Sequence, residues 1–100
     1  MIEILGHYSI GSRVGILVKP EDIILSREII RTSARNMIKA EIANIINHRG
    51  DGAVDVLLKA DRFHILSRIT EQARADLELQ KHDSIFAIFK ASSPQIIREE

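Results

Sequence analysis

Residues 37–48 read MIKAEIANIINH, and the fold turns on whether this stretch is helix or strand. Ile38, Ile42, Ile45 and Ile46 fall at helical spacing, and Ser33 just upstream is of the type that caps a helix start. Ile38, Ala40, Ile42 and Ile46 also share one face of a strand, and β-branched side chains suit a pleated surface. Periodicity alone leaves helix slightly ahead.

The flanks are clearer. Downstream, Gly50-Asp51-Gly52 reads as a turn, after which Val54, Val56 and Leu58 alternate with Asp55 and Lys59. Phe63, Ile65, Ser67 and Ile69 form a second alternating run, so a hairpin is expected. Thr70 then stands before EQARADLEL as an N-cap, with Glu71 in the first turn to complement the helix dipole. SIFAIFKA (84–91) is apolar on both faces and reads as a central strand. Ser92-Ser93-Pro94 is a turn before one last short strand. Upstream, Pro20 separates the apolar runs Val14–Val18 and Ile23–Leu25 into a strand, a turn and a second strand.

With 100 residues, one compact core is attainable and two are not. The chain is 45% apolar and 28% charged, with no apolar run of the ~18 residues that a membrane span needs. The N-terminus lacks the pattern of a signal peptide, so a cytoplasmic location without membrane insertion is expected. Lys plus Arg and Asp plus Glu both number 14, and only Tyr8, Phe63, Phe86 and Phe89 are aromatic. Neither a basic stripe nor a stacking platform is present, which argues against nucleic acid.

Known catalytic signatures are missing. There is no cysteine, and no glycine opens a phosphate-binding loop. His7, His48, His64 and His82 lack metal-ligand spacing, and no serine sits in a nucleophile elbow. An enzyme, a cofactor and a protein-held metal are therefore not expected. What remains is a set of hydrogen-bond donors where the backbone changes character: Ser33 and Arg35, Thr70, and Lys90-Ala91-Ser92. Such donors can serve an oxyanion, but on composition and spacing alone Ser33 and Thr70 read first as caps, Ser92-Ser93-Pro94 as a turn and Lys90 as a surface charge.

TSARN (32–36), a hydrophobic strand, a glycine turn with VDVLL, SRIT, a short helix, LEL and AIFKASS follow one another here in an order and spacing similar to the Mop domain. That domain is the molybdate-binding member of the transport-associated OB-fold (TOBE) group, and the likeness covers about Thr32 to Ile97. LVKPEDI (17–23) resembles the phrase that opens the C-terminal regulatory region in ATP-binding subunits of ABC importers.

The resemblance implies a mainly β fold, an OB-like barrel of about six or seven short strands with one short helix, and a strand at 37–48. It implies a single domain over 1–100, in which N-terminal strands within 1–31 pack on a Mop-type core over 32–98. It further implies molybdate or tungstate as ligand, with hydroxyls from Ser33 and Thr70, backbone N–H groups at Arg35 and Ala91, and Lys90 and Ser92 completing the set. In the family such sites lie between subunits, so a homo-oligomer, dimer or higher, is implied. An importer ATPase domain and its permease are the further partners, and a stand-alone storage protein or a docking module without ligand are the alternatives. A pocket built from these donors alone would contain no carboxylate. Two positions depart from the common family pattern, which has glycine where this chain has Ala40 and His82.

Overall fold

A computed structural model describes residues 14–47, 50–61, 63–92 and 95–98. Among them the order is β1 (Val14–Leu17), a 3-10 turn (Pro20–Asp22), β2 (Ile24–Ser26), β3 (Asn36–Asn47), β4 (Ala53–Ala60), β5 (Phe63–Thr70), α1 (Glu71–Asp76), β6 (Ser84–Phe89) and β7 (Gln95–Arg98). This is the mainly β, OB-like architecture expected, and residues 36–47 are strand. His7, His48 and the Ser93-Pro94 part of the expected turn lie outside the described residues.

Five strands form one antiparallel sheet in the order β2-β6-β3-β4-β5, while β1 and β7 pair as a separate two-stranded sheet. SIFAIF is central, bonded to β2 on one side and β3 on the other. The sheet curls until its two edges meet. Fully buried Ser67 on β5 donates its hydroxyl to the Ile23 carbonyl beside β2 at 2.8 Å, and Arg68 on β5 reaches Glu21 in the 3-10 turn at 3.0 Å.

Alternation supplies the core. Val54, Val56, Leu58 and Ala60 of β4 point inward with Ile23, Leu25, Ile42, Ile85, Ala87 and Phe89. Asp55 faces outward from β4 yet is buried, because its cross-strand partner Arg68 covers it with hydrogen bonds at 2.7 and 3.1 Å. The turn before β4 places Gly50 at φ 83° and Gly52 at φ 71°, which a residue without Cβ adopts at no steric cost.

One sequence reading of β3 needs correction. Ile46 is not on the buried face with Ile38, Ala40 and Ile42; it is 49% exposed, and Ile45 packs on the core instead. The register shifts between Ile42 and Asn44, so Ala43 is an extra residue in the ladder to β4. A single inserted residue exchanges the two faces of everything after it. β3 pairs with β6 along 36–41 and with β4 along 41–47.

Candidate functional site

The residues TSARN enter β3 through its first rung, Asn36 opposite Phe89, the last residue of β6. KAS begins immediately after Phe89. The two most distinctive motifs of the chain, some fifty residues apart in sequence, therefore meet at one end of the β3–β6 ladder. Asn36 is buried there, as are Phe89 and Ala91, whereas Ser33, Arg35, Lys90 and Ser92 are exposed. Apolar or paired groups fix the backbone, and the polar donors project from it.

Thr32 shapes the turn. Its Oγ1 accepts the Ala34 N–H at 3.2 Å, a local bond that bends the chain around Ser33. No helix follows, so Ser33 is not a helix cap. A groove of about 340 Å³ opens at this place, lined by Thr32, Ala34 and Lys90. Ile24 and Phe89 form its apolar part, and Glu21 and Asp22 of the 3-10 turn complete it. The expectation of a pocket without carboxylates is thus not met for this groove. The 3-10 turn is drawn here because Pro20 starts it and Arg68 anchors Glu21, a long-range contact that local sequence does not reveal.

Thr70 lies elsewhere. It caps α1 as expected, its Oγ1 accepting the Ala73 N–H at 3.0 Å. A hydroxyl that accepts in a cap retains its own hydrogen for donation, so capping and ligand binding are compatible roles. Thr70 pairs with Ala53, next to Val54, which is opposite Asn47 at the far end of β3 from Asn36. Eleven residues of β3 separate the two rungs, about 36 Å of strand path. Within one chain Ser33, Arg35, Lys90, Ala91 and Ser92 are brought together, and Thr70 is not.

Several charged groups away from the groove are paired. Glu71 is held below its ordinary range by the hydrogen bond from Arg74, and Arg74 is raised in turn. Arg68 is likewise raised, chiefly by its hydrogen bond to Asp55. Among the described residues no group of three or more His, Cys, Asp or Glu is placed to hold a metal ion, and no helix is long and apolar enough to cross a membrane.

Comparison with known proteins gives this geometry a context. The chain is 34% identical over 88 residues to the molybdate/tungstate import ATP-binding protein WtpC of Pyrococcus abyssi, a match covering 88% of this chain and 25% of that protein. It is 32% identical over 85 residues to the molybdenum import ATP-binding protein ModC of Pasteurella multocida, covering 84% of this chain and 24% of that protein. The chain thus spans about a quarter of the length of these relatives. Among solved structures, the cytoplasmic molybdate-binding protein ModG with molybdate bound superposes with a TM-score of 0.81 at 27% identity, over 92% of this chain and 66% of that one. A molybdate-binding protein from Sporomusa ovata gives a TM-score of 0.56 at 26% identity, over 62% of this chain and 90% of that one. The family defined by the TOBE domain matches residues 32–94, and this chain belongs to that family.

Proposed function

We propose that this chain binds molybdate or tungstate at a site shared between two copies of itself, as the regulatory region of a molybdate importer ATPase. The observation that supports the reading is the Asn36–Phe89 rung, which brings the backbone of TSARN and of KAS to one end of the ladder, beside a groove that Thr32, Ala34 and Lys90 line. The placement of Thr70 supports the shared character. As a ligand donor it belongs to a site that its own Lys90 does not form, so a second copy supplies it.

Selectivity follows from donor chemistry. Molybdate at neutral pH is a dianion that only accepts hydrogen bonds, so hydroxyls, backbone N–H groups and an ammonium satisfy it fully. Hydrogen phosphate would strand its own O–H unless a carboxylate accepted it, and an unmade buried hydrogen bond costs about 1–3 kcal/mol. Glu21 and Asp22 line the same groove, so this discrimination requires the anion to sit against the Thr32 and Lys90 donors and out of reach of those carboxylates. Sulfate is discriminated by size, and tungstate is accepted with molybdate.

Occupying a site between copies stabilises the arrangement that forms it, by the difference in affinity for the two arrangements. In an importer ATPase, cytoplasmic molybdate would in this way restrain further import. The extent of the likeness to ModG favours a second reading, in which the same site stores molybdate without an ATPase. Calorimetric titration with molybdate, tungstate, sulfate and phosphate tests both. Heat with the first two and none with phosphate is expected, and silence with all four would leave a docking module without ligand.

A further inference from the structure

We infer that Arg27 is a positioning residue for the oxyanion site, tying the connection that carries Ser33 and Arg35 to the end of the helix that Thr70 caps. The inference rests on the function proposed above. Arg27 follows directly on β2. Its Nε donates to the Leu77 carbonyl at 2.7 Å, and its Nη2 donates to the Glu78 carbonyl at 2.6 Å and to Asp83 Oδ2 at 2.8 Å.

These acceptors matter because of what they belong to. Leu77 is the C-cap of α1 and Glu78 follows it, where carbonyls lack partners within the helix. Asp83 also accepts the Gln80 N–H at 3.0 Å and stands one residue before β6, whose other end leads to Lys90. One guanidinium therefore touches the segments leading to all three groups of donors. A planar fork with several donors meets two carbonyls and a carboxylate at once; a lysine ammonium lacks that fixed geometry.

Most of the connection is not covered by the rest of the fold. Ile29, Ile30, Arg31, Thr32 and Ser33 are all exposed, Ile29 at 76%. A groove of about 370 Å³, lined by Ile30, Asp76 and Leu77 among others, keeps the connection from packing closely on α1. At its start Ser26 Oγ donates to the Glu28 carbonyl at 2.7 Å and accepts the Glu28 N–H at 3.2 Å, so the turn beyond Arg27 is stiff. Arg27 at its start and the Asn36 rung at its end are two places where the path toward Ser33 is anchored.

The test titrates sodium molybdate calorimetrically into the parent protein and into Arg27→Met, Arg27→Lys and Arg74→Met, at a temperature where circular dichroism shows each folded. Hydrogen exchange of the 28–35 amides is followed on the ligand-free proteins. Arg74 pairs with Glu71 inside α1 and does not touch the connection, so its variant should bind like the parent. Arg27→Met should bind about tenfold more weakly, within the ordinary range of coupling between sites, and exchange faster at 28–35. Arg27→Lys should lose nearly as much, because it keeps the charge but not the fork. If Arg27→Met fails to fold, Arg27→Lys decides. A parent that binds, with Arg27→Lys binding equally well, would sink the positioning role and leave the oxyanion reading intact. A parent that does not bind molybdate would sink both.

Discussion

Asn36 and Phe89 face each other across the first rung of the β3–β6 ladder, and both are buried. One residue beyond that rung on each side stand Arg35 and Lys90, two cations exposed at the same end of the sheet. The buried rung thus sets where the backbone of both residues runs.

The first prediction separates ligand from scaffold. Ser33 caps no helix and is exposed, so Ser33→Ala should change the ligand-free stability by less than about 0.5 kcal/mol. Its molybdate affinity should fall by about 1.5–3 kcal/mol, the usual worth of a hydrogen bond to a charged group. Lys90→Met should weaken binding similarly, while Lys59→Met, on an exposed strand position, should do neither. Calorimetry with paired thermal melts reads this, and parent-like binding by both site variants would refute the assignment.

A second prediction concerns the two carboxylates in the groove. Glu21 and Asp22 oppose a dianion, so Glu21→Gln combined with Asp22→Asn should tighten molybdate binding by about 1 kcal/mol, roughly fivefold. The stability cost should be small, since the Glu21–Arg68 pair is exposed and such pairs contribute about 0–1 kcal/mol. Weaker binding in the same titration would place the anion outside this groove.

Barrel closure supplies a third. Ser67 is fully buried and donates to the Ile23 carbonyl 44 residues away. Ser67→Ala removes the donor and leaves that carbonyl unsatisfied, which should cost about 1–3 kcal/mol in urea unfolding. A loss under 0.5 kcal/mol would mean that the two sheet edges are joined by other contacts.

Acid should loosen the Arg27 tie. The Asp83 carboxylate is held below its ordinary value by the hydrogen bond from Arg27, with help from the Gln80 N–H. A carboxylate with a depressed folded pKa contributes stability that is present above its unfolded value, here 3.8, and lost as pH falls through the folded one. The urea midpoint of the parent should therefore exceed that of Asp83→Asn at pH 6, and the two should draw together as pH falls below 3.8. Parallel curves would deny the tie its electrostatic component.

What could be read from the sequence was whatever local chemistry decides. The β4–β5 hairpin announces itself through strict alternation and a glycine turn, α1 through its Thr70 cap, and β6 through a run apolar on both faces. β3 resisted because its isoleucines satisfy helix and strand together, and only resemblance to a family tipped it. Ile46 falls on the opposite face from that expected because the ladder to β4 carries an extra residue at Ala43, a feature of the pairing that leaves no mark in the local alternation. At the site, TSARN and KAS were visible as motifs. The carboxylates of Glu21 and Asp22 and the reach of Arg27 were not, since those contacts join segments some fifty residues apart.

The last prediction tests one of the two departures from the family pattern. His82 adopts φ 77°, left-handed backbone, in the turn before β6, and its N–H donates to the Ile42 carbonyl at 2.8 Å. That bond fixes the backbone conformation, so the side chain must tolerate it. Residues with a Cβ pay about 1–2 kcal/mol in this region, and histidine is among those found there more often than most. His82→Gly removes that cost but makes the unfolded chain more flexible, a penalty of about 0.4–1 kcal/mol. The net should be a gain near 0.5 kcal/mol, because the His82–Glu41 contact at 3.5 Å is exposed and adds little. His82→Val places a β-branched side chain at the same φ and should lose about 1–2 kcal/mol. Thermal melts of the three proteins order them as Gly, His, Val from most to least stable, and a glycine variant melting below the parent would show that the histidine side chain contributes more than its exposed contact implies.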